Sequence, residues 1–145
     1  MDNSYVTRND ESRARLRGLV ARVSEADLAT SLGGGWTVSA ALAHLAFRDQ
    51  YASTRLEEWI REGALPASGG YDALNDALVS QWLAIPPQEA ARLAVAAAEA
   101  LDQKVAALAP DKAEAIAAAG RPRLLDRSKH RQEHLDQIER AIAAG

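Results

Sequence analysis

Residues 127–142 read RSKHRQEHLDQIERAI, and the spacing of their apolar and imidazole side chains decides what kind of chain this is. Leu135, Ile138 and Ile142 recur at helical intervals of three and four residues. An α-helix turns about 100° per residue, so positions i and i+4 stand about 40° apart, one turn up, on a common face. His130 and His134 form such a pair, and His134, Ile138 and Ile142 are successive members of one i+4 row. Both imidazoles therefore lie on or beside the stripe that the helix buries. The chain has three histidines. The third, His44, falls inside another apolar helical run, SAALAHLAFRDQ (39–50). Three histidines on two helices suggest one metal ion between them.

Composition agrees with a helical setting. The 145 residues, 48% of them hydrophobic, suffice for one domain over residues 1–145 with a proper core. Ala and Leu dominate, and runs such as AARLAVAAAEAL (90–101) favour helix by intrinsic propensity, so the expected class is all-α. The formal net charge of −3 mixes both signs with no basic stripe, which gives nucleic-acid binding no support. The polar start MDNSYVTRND has no apolar signal core, and no run approaches the roughly 20 apolar residues of a membrane span. No membrane partner and a cytoplasmic location are expected. With no cysteine in the chain, thiol chemistry requires a thiol brought in by a cofactor.

Further helices can be read in order. The first begins near Asn9 or Asp10 and runs to Arg22, with Leu16, Leu19, Val20 and Val23 on one face. Ser24 and Asp27 suit a capped turn, and Gly33, Gly34 and Gly35 break the chain. Thr37 caps a second long helix to about Arg61, with Gly63 as its stop and His44 within its apolar arc. ALPASGG (64–70) reads as a loop. YDALNDALVSQWLAI (71–85) reads as a shorter helix ended by Pro86 and Pro87. A third long helix runs from Pro87 to Leu108 and is closed by Pro110. KAEAIAAA (112–119) is a weaker helical patch, and the last helix runs from about Leu125 to Ala143. The pattern predicts a four-helix bundle with one additional shorter helix, whose second and fourth long helices can bring His44 to His130 and His134.

GWTVSAALAHLA (35–46) opening the second helix, Asn75 in YDALNDAL, and H-x-x-x-H-L-x-x-I at 130–138 together resemble the DinB-like superfamily. The resemblance is closest to members related to the N-terminal domain of mycothiol-dependent maleylpyruvate isomerase, and it covers nearly the whole chain. It implies a four-helix bundle, commonly a homodimer, holding a divalent metal (Zn, Ni, Fe or Mn) on His44, His130 and His134. For Trp36 and Thr37 it implies packing and capping. Its activities are less uniform than its fold. Some members are thiol-dependent transferases or isomerases that use mycothiol or bacillithiol.

Each site residue also has a plainer reading. A lone buried histidine is usually just hydrogen-bonded. HRQEH (130–134) matches the inverted zincin pattern H-x-x-E-H, but that reading needs a ligand well downstream, and eleven residues follow His134. Glu133 and Asp49 suit a site rim or outer shell, though exposed helix carboxylates are common. Arg48 either meets an anionic substrate or lays its stem along apolar surface, the commoner outcome. Asn75 lines a pocket or caps locally, and Trp36, Trp59, Trp82 and Phe47 pack the core. The leading expectation is a metal-dependent protein acting on a small-molecule substrate with a low-molecular-weight thiol. The alternatives are a non-catalytic, metal-stabilised interaction module and a metal-free partner scaffold.

Overall fold

A computed structural model describes residues 3–65 and 70–145. Residues 66–69 of the expected loop at 64–70 lie outside it. The architecture is all-α, with four long helices: α1 (Ser4–Arg22), α3 (Val38–Glu62), α5 (Pro87–Ala106) and α7 (Ser128–Ala144). Between them lie the single turn α2 (Glu25–Leu28), the helices α4 (Tyr71–Ala84) and α6 (Pro110–Ala118), and a 3-10 turn at Pro122–Leu124. Helix α4 is the one shorter helix expected from sequence, α6 covers the weaker helical patch read at 112–119, and α2 is the capped turn read at Ser24 and Asp27. A two-stranded antiparallel ribbon, β1 (Ser31–Gly33) and β2 (Trp36–Thr37), precedes α3.

Local chemistry sets several boundaries. Ser24 and Asp27 form a reciprocal capping box at α2. Gly33, Gly34 and Gly35 all have positive φ, which lets the ribbon reverse within two residues. Thr37 Oγ1 accepts from the Ala40 amide and caps α3, and Gly63 ends that helix in the left-handed conformation. Pro110 follows the end of α5 and stands at the first position of α6.

Two starts differ from the sequence reading. Helix α1 begins at Ser4, five residues before Asn9. Asn9 is buried inside the helix, where its side chain donates to the Leu125 carbonyl (2.7 Å) and accepts from the Arg127 amide (2.8 Å). Helix α7 begins at Ser128, three residues after Leu125. Leu124 and Leu125 are buried in the core, and Asp126 accepts from the Ser128 amide (3.0 Å) to open the helix.

The four long helices pack in a ring, α1 against α5, α5 against α3, α3 against α7 and α7 against α1. The α3–α5 contact is the most extensive, and small residues line it, including Ala41 on α3 and Ala91, Ala94 and Ala98 on α5. Small side chains at a crossing let two helices approach closely. Leu16, Leu19, Leu42, Leu45, Leu135 and Ile138 fill the middle. A second cluster around Tyr5, Leu56, Trp59, Leu101 and Ile116 fills the end nearest α6.

A charge lies within this apolar ring. Arg131, on the same stripe as Leu135 and Ile138, is 0% exposed. Its guanidinium donates to both oxygens of Asp102 on α5 (2.8 Å each) and, through Nε and Nη2, to Asp49 on α3 (3.1 Å each). Nη1 also reaches Ser12 Oγ on α1 at 3.3 Å. Arg13 adds a 2.7 Å bond to Asp102, and Arg127 Nε a 3.0 Å bond to Asp49. Every guanidinium N–H of Arg131 thus has an acceptor. Burial works against its charge, but the two carboxylates more than offset this and raise its pKa above the ordinary arginine value.

Arg131→Met leaves two carboxylates buried without their shared cation and is expected to lower the unfolding free energy by about 3–5 kcal/mol. Urea denaturation followed by circular dichroism measures this, and a loss below about 1 kcal/mol, the worth of an exposed pair, would contradict the role assigned to Arg131.

Candidate metal centre

The cap at Thr37 starts α3 so that His44 falls two turns along it, on the face toward α7. His44 is 4% exposed. Its ring packs edge-on against Trp36 (5.7 Å between centroids) and Trp82 (5.2 Å). His130 and His134 come from the first two turns of α7, each half-buried. The three rings form a triangle with centroids 5.2 Å (His44–His130), 4.7 Å (His44–His134) and 4.7 Å (His130–His134) apart. One nitrogen from each lies within 4.8 Å of the other two. The structure therefore brings the three sequence-predicted residues together in a group that could hold a metal ion.

The donor set fits such an ion. His44 Nε2 and His130 Nε2 are 3.3 Å apart. Two Zn–N bonds of about 2.0–2.1 Å at a tetrahedral angle separate their nitrogens by about 3.3–3.4 Å. Three neutral imidazoles also leave a coordination position for water or substrate. The outer contacts of the rings differ. The Gln137 side chain near His134 works against the lowering of its pKa. His44 Nδ1 is buried with no hydrogen-bond partner among the described residues. His130 Nδ1 faces Arg127 Nη2 at 3.5 Å, the outer limit of a hydrogen bond, so this contact does not fix the tautomer.

The surroundings keep all three rings neutral. Burial lowers the His44 pKa to about 3, helped by the nearby His134, Arg48 and Arg127. Burial also lowers His130 to about 2, with Arg127 the next contributor, and it lowers His134. Neutral imidazole is the form that binds metal.

His130 opens onto a cavity of about 530 Å³ between α3, the start of α4 and the entry to α7. Arg48 and Tyr51 of α3, Tyr71 of α4, and Arg123 and Lys129 near α7 line it. Glu133 stands exposed at its edge, which combines its rim and solvated readings. Arg48 is half-buried, with its guanidinium 3.8 Å from the Tyr71 ring centroid. Asn75, one turn beyond Tyr71, has its Oδ1 buried without a partner among the described residues. Trp82 and Trp59 are core residues, whereas Trp36 and Phe47 are partly buried around them or around His44.

Asp49 departs from the picture of an exposed helix carboxylate: it is 1% exposed and binds Arg127 and Arg131. Through Arg127 it reaches His130 at one remove. Sequence reasoning missed Arg127, Arg131 and Asp102. A signal for Arg131 was available, since it stands four residues before Leu135 on the apolar stripe, where a charge requires a buried partner.

An all-α bundle whose second and fourth long helices present three converging imidazoles is the arrangement of the DinB-like class. Residues 10–132 match the family described as the mycothiol maleylpyruvate isomerase N-terminal domain, and the chain belongs to that DinB-like family. The matched segment contains His44 and His130 and ends two residues before His134. No curated protein and no solved structure matches the chain.

The depressed imidazole pKa values carry a pH signature. Stability that is intact above the ordinary histidine value of 6.5 is lost as pH falls from 6.5 toward 3, because the unfolded chain takes up protons that the folded rings refuse. Each such ring steepens the acid side by up to about 1.4 kcal/mol per pH unit. Chemical denaturation of the metal-free protein at pH 7, 6 and 5 should show this slope reduced in His44→Ala. Equal slopes in the two proteins would contradict a neutral buried His44.

Proposed function

We propose that the chain binds one divalent ion on His44, His130 and His134 and uses it to transfer a low-molecular-weight thiol to, or isomerise with its aid, an electrophilic small molecule. The observation that carries this reading is a three-imidazole group placed at the wall of a cavity large enough for a small ligand. Family membership supports the thiol, since the family description names mycothiol and maleylpyruvate, as does the lack of any cysteine in the chain. The donor set suits Zn, Ni, Fe or Mn. A divalent ion held there supplies Lewis acidity and lowers the pKa of a thiol that binds it.

The chain's own residues would do the rest. Trp36 and Trp82 pack edge-on against His44 and would help to keep water from its buried ring. Asp49 holds Arg127 in place beside His130, and Glu133 stands at the mouth, where a carboxylate can accept a proton.

A second reading has its own support. Helices α3 and α7 share far less interface than α3 and α5, so an ion bridging His44 to His130 and His134 would tie a lightly packed seam without turnover.

Metal-loaded protein assayed with mycothiol and with bacillithiol, against maleylpyruvate and other electrophiles, should exceed its His44→Ala variant by at least about 100-fold in kcat/KM, the scale of losing a catalytic ligand. Elemental analysis accompanies the assay and should give one ion per chain, lost in His130→Ala and His134→Ala. Bound metal with no rate above the variant, together with a large fall in Tm on chelation, would favour the structural reading. No metal at any stoichiometry would overturn both.

A further inference from the structure

The cavity beside the imidazoles has a strongly cationic lining. Arg48, Arg55, Arg121, Arg123, Arg127 and Lys129 line it, against two carboxylates, Asp126 and Glu133. Those carboxylates do little to balance it. Asp126 is already bound by Arg8 at 2.9 Å on its far side, and Glu133 is exposed. Arg127 has its own counter-ion in Asp49. Arg48 stands on α3, and Arg123 and Lys129 stand along the entry to α7. In a chain with a net charge of −3, this concentration is local, and the sequence does not display it as a run.

Arg48 is the most telling member. Its guanidinium is drawn partly out of water, and burial lowers its pKa, with Arg127 adding to the effect. Its contacts are to the Tyr71 ring and side chain; among the described residues no carboxylate is in ion-pair range, and its buried Nε has no hydrogen-bond partner. The next residue on the same helix, Asp49, serves Arg127 and Arg131 instead. A half-buried guanidinium faces a desolvation cost, and a planar oxyanion, which accepts from its fork of donors, relieves that cost most directly.

We propose that this cavity is a binding site for a small organic oxyanion, with one carboxylate or phosphate group held by Arg48 beside the imidazoles and further negative charge held by Arg123 and Lys129 at the mouth. The site deepens the reading above, on which it rests only for the claim that the ligand is a substrate; anion binding by itself stands without the metal. It also makes a charged partner the preferred one, whether the charge is on the electrophile or on the thiol. Tyr51 and Tyr71 add aromatic lining.

Isothermal titration of the full chain with succinate, with inorganic phosphate and with succinamide, the uncharged analogue of succinate, tests the proposal. Succinate or phosphate should bind, succinamide should not, and affinity should fall as salt rises. Tighter binding of succinate assigns the group to a carboxylate, and tighter binding of phosphate to a phosphate. Arg48→Gln should weaken the preferred anion at least tenfold and Arg123→Gln two- to fivefold, while Arg92→Gln, on the exposed surface of α5, should leave it unchanged. Repeating the titration after chelation separates this site from the metal, because anion binding should persist. No binding of either anion at millimolar concentration, equal binding of succinamide, an Arg92→Gln loss as large as that of Arg48→Gln, or loss of binding on chelation would each overturn the proposal. A wild-type protein that takes up no metal at any stoichiometry and still binds the anion would sink the proposed function and leave this inference standing.

Discussion

The buried guanidinium of Arg131, shared by Asp49 and Asp102, is the constraint on which the placement of the other elements depends. A hydrophobic stripe alone fixes the rotation of a helix only loosely, since Leu135 and Ile138 would tolerate small turns and slips against an apolar neighbour. A guanidinium whose donors must all find acceptors tolerates far less. Asp102 lies on α5, Asp49 on α3, and Ser12 on α1, so one side chain of α7 is referenced to the other three long helices. With Arg131 pointed at their junction, the residue before it and the residue three after it flank the stripe. Those residues are His130 and His134. The rotation that satisfies Arg131 also turns both imidazoles toward His44.

This arrangement favours specificity over raw stability. Replacing a buried ion cluster with well-packed apolar residues is often neutral or stabilising, so the cluster is weak evidence of a tight fold. Its merit here is geometric. Arg127 continues the same network one turn earlier, with Asp49 on one side and His130 on the other. Asp49 therefore serves the fold through Arg131 and the site through Arg127. The surface pairs between α1 and α7, such as Arg15 with Asp136 and Glu139, add little by comparison because water screens them.

What could be read from the sequence follows the range of the interactions involved. The capping box at Ser24, the Thr37 cap, the Gly63 stop and the prolines act within four residues, so the pattern and the structure coincide there. The start of α1 was missed because Asn9, a good cap in isolation, is held inside the helix by Leu125 and Arg127, more than a hundred residues away in the chain. The start of α7 moved for a similar reason, since Leu124 and Leu125 belong to a core that forms with Tyr5 and Leu56. The meeting of His44 with the pair on α7 was legible because imidazoles on apolar arcs of two bundle helices have few other places to go. The burial of Asp49 was not, because an Asp on a long helix looks exposed until its arginine partners are known. The cationic cavity escaped notice because its charges come from residues 48–55 and 121–129, which become neighbours only on folding.

Charge balance links the two parts of the site. Three neutral imidazoles contribute no negative charge, so a divalent ion on them would sit near Arg48 and Arg127 with Asp49 as the nearest buried counter-charge. Burial keeps the rings deprotonated and hence able to ligate, and the cationic lining that adds to this effect would also repel the ion. Proton competition and Coulomb repulsion thus act in opposite senses on metal affinity. An oxyanion in the cavity resolves the conflict, since it neutralises the guanidiniums without protonating the imidazoles. By linkage, an anion that strengthens metal binding is itself bound more tightly when the metal is present, by the same factor. A site built this way would hold an ion most firmly with an anion in the cavity, and that preference would arise from the positions of Arg48, Arg127 and Asp49 without any change of shape.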